Sequence, residues 1–410
     1  MSSARTCEVL IVGTGPAGLA TALNLMRLRP DLAGKVVALE KARHPRFKVC
    51  AGGLIPKTVR AIAELGLELE VPAVEVRAGR ARTVAGDIEY PAGEVLCTVV
   101  RRDRFDARLA RAAREAGLEI IEECRALEIE SSSDSVRVRS ERGWFEAPVV
   151  VGADGSGSRV RAAIFGTDKD SIGRGVMVDV AVEPGSAEEF VNQLYRFDFR
   201  CVTEGVKGYA WSFPCLIDDR PHLNVGIYDQ CPREAVRPGE AKADLLDALR
   251  AAFPELPLDS VGRRPGTFKA FPIRGYAPNA RFAAGRVALV GDAAGVDPLM
   301  GEGISQGFEQ GKLAAQAIVR MLDGDRDALA AYERELHHGL IGRKLSKLSF
   351  AARRFYGPRY RLYFRLACLS RRAQQIGIDW YNGARDLDEM PVRTLIAKWA
   401  GAILLGIPIR

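Results

Sequence analysis

Apolar positions fall along this chain in two patterns, short unbroken runs and helical spacing, and the opening shows one feeding the other. Residues 7–13, CEVLIVG, are continuously apolar over a strand's length, and GPAGLATALNLMRLRP then sets Leu19, Ala22, Leu23 and Met26 at helical intervals. The pattern predicts a buried parallel strand entering a helix. A second run, Lys35 to Glu40, predicts the next strand of the same βαβ unit. Two later runs, Pro148 to Gly152 and Gly285 to Gly291, predict strands that break into small residues followed by an acid, Asp154 and Asp292. Between them, Gly175–Val182, Tyr209–Pro214 and Leu223–Tyr228 read as strands of a mostly antiparallel sheet. From about residue 327, beginning DALAAYERELHHGL, the spacing turns helical.

The first strand–helix junction carries Gly13-Thr14-Gly15-Pro16-Ala17-Gly18, a GxGxxG in the one context that makes the motif informative. Gly13 permits the tight turn, Gly15 lets backbone approach a pyrophosphate, and Gly18 lets helix and strand pack closely. Free N–H groups and the positive dipole end of the helix suit the phosphates. Glu40, at the end of the second strand with Lys41 behind it, is placed to accept hydrogen bonds from both hydroxyls of an adenosine ribose. The dinucleotide is then decided by the later stretches. A carboxylate at a strand end, Asp292, suits the donor hydroxyls of a ribityl chain. Gly301 and Gly303, in Val296-Asp297-Pro298-Leu299-Met300-Gly301-Glu302-Gly303-Ile304, open a helix whose N-terminal amides can stabilise negative charge on a reduced flavin ring. FAD is therefore the expected cofactor.

Length and composition fit this picture. At 410 residues and 47% apolar, the chain can bury more than one core. Eight cysteines scattered from Cys7 to Cys368 without CxxC spacing predict neither a disulfide framework nor a metal site, and His337 and His338 read as surface residues. The N-terminus leaves no room for a signal peptide, so a reducing, cytoplasmic setting is expected. The net charge of +7 is concentrated: between Glu335 and Asp379 there is no acid, while Arg343, Lys344, Lys347, Arg353, Arg354, Arg359, Arg361, Arg365, Arg371 and Arg372 all lie there. That basic, aromatic stretch suggests an anionic partner, a lipid diphosphate or the headgroups at the inner face of a membrane, with the protein peripheral to it. The final TLIAKWAGAILLGIPIR is short and interrupted by Lys398, a poor membrane span. Nothing in the pattern points to nucleic acid.

With these signatures in order over roughly residues 7–325, the chain resembles the FAD-dependent hydroxylase superfamily (p-hydroxybenzoate hydroxylase-like), and within it the geranylgeranyl reductase family. The narrower resemblance rests on Cys50-Ala51-Gly52-Gly53-Leu54, similar to the family's CGGGL turn with Ala51 as a departure, and on Tyr209-Ala210-Trp211-Ser212-Phe213-Pro214, which matches YxWxFP. The resemblance implies an α/β fold: a discontinuous Rossmann-like FAD-binding domain (1–75, 98–165 and 280–326), a substrate-binding β-sheet domain (76–97 and 166–279) and a helical C-terminal region (327–410). It implies cofactor contacts from Gly13, Gly15, Gly18, Glu40, Lys41, Gly52, Gly53, Arg102, Asp154, Gly291, Asp292, Pro298, Gly301, Gly303 and Ile304, and substrate contacts from Tyr209, Trp211, Phe213 and Pro214.

Read from residues alone, Cys50 is a small apolar side chain filling a turn. The resemblance instead implies that it faces the side of the flavin where an alkene binds, packing against substrate or donating a proton to the carbon opposite the one receiving hydride. The implied activity is saturation of isolated double bonds in a prenyl chain: geranylgeranyl diphosphate, a geranylgeranylated lipid or a polyprenyl quinone tail. A monooxygenase on the same scaffold is the competing expectation. A halogenase is less favoured, since YAWSFP only partly matches that class's WxWxIP and no lysine lies between Lys57 and Lys169. A prenyl-binding escort without chemistry would not need the whole set of FAD signatures. With a single dinucleotide fingerprint, the external reductant is expected to bind transiently, as NAD(P)H or a ferredoxin.

Overall fold

The computed structural model describes residues 4–167, 172–230, 240–262 and 266–381. The apolar run at 394–410 and Lys169 lie outside them. The strand Val9–Val12 is buried at every position and sits inside a six-stranded sheet ordered Ala283–Ala284, Val287–Leu289, Val149–Gly152, Val9–Val12, Val36–Leu39, Glu119–Ile121. All neighbours pair in parallel except the edge strand Ala283–Ala284. Parallel strands are covered on both faces, which is why these segments read as unbroken apolar runs. Helix Pro16–Leu28 packs on helix Ile304–Leu322, and the approach is close because Gly311 has no side chain: a Cβ there would lie 2.9 Å from the Ala17 carbonyl oxygen. Helix Arg102–Glu115 buries Phe105, Leu109, Ala112 and Ala113 at helical spacing.

A seven-stranded sheet runs Lys269–Arg274, Ile172–Ala181, Arg220–Asp229, Gly208–Ile217, Leu194–Asp198, Ala78–Thr83, Gly86–Tyr90. It is antiparallel apart from the pairing of Leu194–Asp198 with Ala78–Thr83. Its two faces bury different things. One packs aliphatic residues such as Val176, Val178, Val225 and Ile227 against the helix Glu240–Ala252; the other packs Tyr195, Phe197, Tyr209, Trp211, Phe213 and Tyr228. Two further sheets join these bodies. Gly53–Leu54, Cys97–Val100 and Ala73–Val76 form a small antiparallel sheet, and Arg5–Thr6, Gly143–Ala147, Val136–Ser140 and Ala126–Ser131 form a second layer beside the parallel sheet.

Among the described residues the C-terminal region holds four helices, Ala328–His338, Leu340–Phe355, Tyr360–Leu369 and Arg371–Tyr381. Phe364 packs its ring on Phe199 at 5.4 Å, and Tyr381 meets Tyr195 at 5.8 Å and Phe197 at 6.0 Å. The helical tail therefore completes the aromatic face of the seven-stranded sheet. Among the described residues no helix is long and apolar enough to cross a membrane.

Candidate active site

One cavity of about 490 Å³ runs between the parallel sheet and the aromatic face of the seven-stranded sheet. Its polar portion begins at the strand–helix junction. Gly13 has φ +103° and a Cβ there would fall 2.4 Å from the Ala153 carbonyl oxygen, so this turn admits only glycine. Gly15 is different: the nearest atom to its missing Cβ is Arg46 Nη2 at 3.7 Å, so its bareness opens the cavity wall beside the N-terminus of helix Pro16–Leu28. Gly18 does not line the cavity; it packs the helix on the turn, where a Cβ would lie 2.2 Å from the Gly13 oxygen.

Glu40 is buried at the end of its strand. Its Oε2 accepts the Thr14 N–H at 3.0 Å and the Thr14 hydroxyl at 2.8 Å, with Arg46 Nε at 3.4 Å, while Oε1 accepts only the Ala42 N–H at 3.1 Å among the described residues. Burial opposes its charge, but Arg46 and the Thr14 hydrogen bonds outweigh it and hold the carboxyl below its ordinary range. A lone pair on Oε1 remains for an incoming hydroxyl. Lys41, next to it, is an exposed cation on the cavity rim.

At the far end of the parallel sheet, Asp292 lies in the short turn Gly291–Ala293 that follows strand Val287–Leu289. Its Oδ2 accepts the Ser156 hydroxyl at 3.1 Å, and Ser156 Oγ in turn accepts the Arg274 N–H at 3.2 Å. Oδ1 accepts no hydrogen bond among the described residues. Asp154 lines the cavity but is engaged locally: Oδ2 caps helix Arg159–Phe165 by accepting the N–H groups of Arg159 at 2.7 Å and Val160 at 3.3 Å, and Oδ1 is buried without a hydrogen-bond partner. Burial raises this carboxyl above its ordinary range.

Cys50 borders the cavity between this polar half and the rings. The Gly52 N–H donates to its Sγ at 3.3 Å and its own N–H donates to Met177 Sδ at 3.2 Å, so both thiol and backbone are anchored. Arg102, 8% exposed, forks onto Asp106 at 2.8 and 3.1 Å, close enough to Cys50 for the two side chains to act on each other electrostatically. The turn depends on Gly52, at φ +81°, where a Cβ would lie 2.0 Å from the Val100 carbonyl oxygen. Gly52→Ala is expected to cost more than about 3 kcal/mol, from positive-φ strain plus a backbone clash, read as a lowered thermal midpoint and loss of soluble protein. Gly53 follows on the same wall, its missing Cβ 3.3 Å from the Phe213 ring.

The apolar half is made by Phe197, Tyr209, Trp211, Phe213, Tyr228 and Tyr381. Tyr209, Trp211 and Phe213 share a face because strand side chains alternate. Pro214 corrects the expectation placed on it. It pairs with Leu223 and so faces the aliphatic side of the sheet, away from the cavity. Pro298 also stays out of the wall; its carbonyl accepts the Tyr228 hydroxyl at 3.5 Å, Leu299's accepts Tyr356 at 2.6 Å, and Met300's accepts Tyr209. Three tyrosines thus pin three successive carbonyls and fix the loop leading to Gly301, Gly303 and Ile304, which do line the cavity. In that loop the Glu302 carboxylate accepts the Ser305 N–H at 2.8 Å, capping helix Ile304–Leu322.

Lys48, Phe197, Tyr228 and Tyr381 are among the lining residues that no motif announces. Lys48 sits two positions before Cys50, the one signal that could have drawn attention to it. Its Nζ lies 3.2 Å from the Phe271 ring centroid and 3.8 Å from Asp292 Oδ2. Burial pushes this ammonium down to about 8, against the pull of Asp292.

A glycine-opened helix N-terminus, a strand-end acid with an open oxygen and a second strand-end acid farther along one cavity fit the chemistry of FAD, and the sequence pattern of the FAD binding domain family matches residues 6–340. The chain belongs to that family. It is an FAD-dependent oxidoreductase, and several of its relatives are named as reductases. It is 28% identical over 365 residues to the digeranylgeranylglycerophospholipid reductase of Methanothrix thermoacetophila, covering 83% of this chain and 85% of that one. In fold it is similar to a geranylgeranyl bacteriochlorophyll reductase-like protein of Thermoplasma acidophilum, with TM-score 0.72, 20% identity, and 95% and 99% of the two chains covered. It is also similar in fold to the flavin-dependent brominase Bmp2, with TM-score 0.71, 19% identity, and 96% and 99% covered. The fold is therefore shared by reductases and halogenating enzymes, and the chemistry has to be argued from the site.

Proposed function

We propose that this flavoprotein saturates isolated double bonds of a prenyl chain, carried by geranylgeranyl diphosphate, a geranylgeranylated lipid or a polyprenyl quinone. The observation that carries the reading is the continuity of one cavity: a dinucleotide-suited half and a ring-lined half meet at a cysteine. A wall of rings suits a hydrocarbon that offers no polar handle. The sequence relationship to a digeranylgeranylglycerophospholipid reductase supports the same substrate class.

In this reading the amide at Gly15 and the N-terminus of helix Pro16–Leu28 hold the pyrophosphate, Glu40 Oε1 takes a ribose hydroxyl, and Asp292 Oδ1 takes the ribityl chain. The tyrosine-pinned loop and the start of helix Ile304–Leu322 face the ring. Bound and reduced by an external donor, a reduced nicotinamide or a ferredoxin, FAD supplies a hydride. The alkene is unpolarised, so a carbon that receives hydride needs its neighbour protonated nearly at once. Cys50 Sγ gives that proton, Arg102 beside it balances the thiolate left behind, and solvent restores the thiol. The sum is two electrons and two protons added across one C=C bond.

The outer face of helix Tyr360–Leu369 supports access from a lipid surface. It exposes Arg361 and Arg365 beside Leu362 (41% exposed) and Leu369 (56%), while its inner Phe364 packs on Phe199, a neighbour of Tyr209. Cations flanking exposed leucines fit an anionic bilayer face.

The deciding experiment is anaerobic reduction of the FAD-loaded protein followed by addition of geranylgeranyl diphosphate. Flavin reoxidation without O₂ and a product heavier by two hydrogens is expected; a flavin that stays reduced until air is admitted, with a product then gaining one oxygen atom, would establish the monooxygenase instead.

A further inference from the structure

The charged groups around the cavity are unequally satisfied. Arg102 is forked onto Asp106, and Arg46 lies between Glu40 and Asp106 at 3.4 Å from each. Glu302 is engaged as a helix cap, accepting the Ser305 N–H and Gln306 Nε2, each at 2.8 Å. That carboxylate sets a negative charge on the very helix end whose dipole would otherwise favour an electron-rich ring. Lys48 stands apart from these closed pairs. Its Nζ rests on the face of Phe271, and its nearest carboxylate oxygen, Asp292 Oδ2 at 3.8 Å, lies beyond hydrogen-bond length and already accepts from Ser156. The ring holds the ammonium in place by cation–π attraction while leaving its N–H groups available to the cavity.

We propose that Lys48 is the cation that sets the reduction potential of this flavin site, a positioning charge rather than a proton donor. The inference rests on the reading of Asp292 as cofactor-facing. Two-electron reduction with uptake of one proton adds one negative charge to the bound ring. A fixed cation in a partly desolvated cavity favours that state, and the capped helix end leaves room for its effect. Phe271 fixes Lys48 whether or not Asp292 is charged. Asp292, Arg102, Cys50 and Arg46 are the charged and titratable groups that act on it.

The test is the midpoint potential of bound FAD in Lys48→Met and Lys48→Arg, measured by anaerobic dye equilibration between pH 6 and 10. Lys48→Met is expected to shift the oxidised-to-reduced equilibrium ten- to a hundredfold towards oxidised, about 30 to 60 mV lower for a two-electron couple. Lys48→Arg should stay near the unmodified protein. The ammonium is charged below about 8 and loses its proton as pH rises through that value, and reduction draws the proton back. The unmodified midpoint should therefore fall more steeply above about pH 8, by roughly 30 mV more per pH unit, and Lys48→Met should lack the break. A Met variant with unmodified midpoint and slope overturns the proposal; if that variant loses FAD, Lys48→Gln carries the same measurement. Unmodified protein that takes up no FAD would instead sink the reading of the whole site.

Discussion

Cys50→Ala is expected to keep its FAD and to lose about 10²- to 10⁴-fold in the rate of prenyl reduction, the range associated with a positioned general acid. The substitution is small. Cys50 is half-buried, and its backbone N–H to Met177 Sδ does not depend on the side chain, so the turn and the cofactor half of the cavity should persist. What disappears is the thiol held by the Gly52 N–H, beside the Arg102 charge, at the junction of the two halves. Without it, hydride delivered to an unpolarised alkene would leave a carbanion with no acid beside it. The loss should appear in single-turnover reoxidation of the reduced flavin by substrate and leave reduction by dithionite untouched. Cys50→Ser, a much weaker acid of nearly the same shape, should fall close to alanine. If both variants turn over at the unmodified rate, the thiol is packing and the proton comes from elsewhere.

The cofactor half was largely legible in sequence because it is built from contiguous segments. A parallel strand buried on both faces reads as Val9–Val12 does, and the glycines and acid that follow stand at fixed offsets in the chain. The second layer formed by Ala126–Ser131, Val136–Ser140 and Gly143–Ala147 was less apparent, although alternation in VRVRS, buried at Val136 and Val138, is its signal. The ring-lined half was legible only as one strand. Trp211 and Phe213 declare themselves by alternation, but Tyr381 arrives from the last described helix, and Phe197 from a strand whose neighbours are also aromatic. Tertiary packing alone brings such residues together, and no local period encodes it. The tyrosine hydroxyls on Pro298, Leu299 and Met300 are of the same kind, since their donors come from two strands and from Tyr356 just past the end of helix Leu340–Phe355. Pro214 failed for the converse reason: a motif groups it with Trp211 and Phe213, whereas strand parity turns it to the other face.

Asp292→Ala should purify nearly free of FAD, with affinity lowered about a hundredfold or more. A carboxylate accepting hydrogen bonds from ribityl hydroxyls contributes roughly 1.5 to 3 kcal/mol per bond, and two such bonds exceed the ~2.7 kcal/mol that a hundredfold change requires. The carboxylate is also preorganised: the Arg274 N–H orients Ser156, whose hydroxyl holds Oδ2, so Oδ1 is fixed in place without rearranging. Fluorescence titration of the apoprotein with FAD measures the loss. Asp292→Asn separates charge from shape, since its carbonyl can still accept one hydroxyl, and its affinity should fall between the two. It also tests the Lys48 reading from the other side. Removing the negative charge 3.8 Å from Lys48 Nζ leaves the ammonium less neutralised, so whatever FAD Asp292→Asn retains should be easier to reduce, opposite in sign to Lys48→Met. Stoichiometric FAD at unmodified affinity in Asp292→Ala would remove the ribityl assignment.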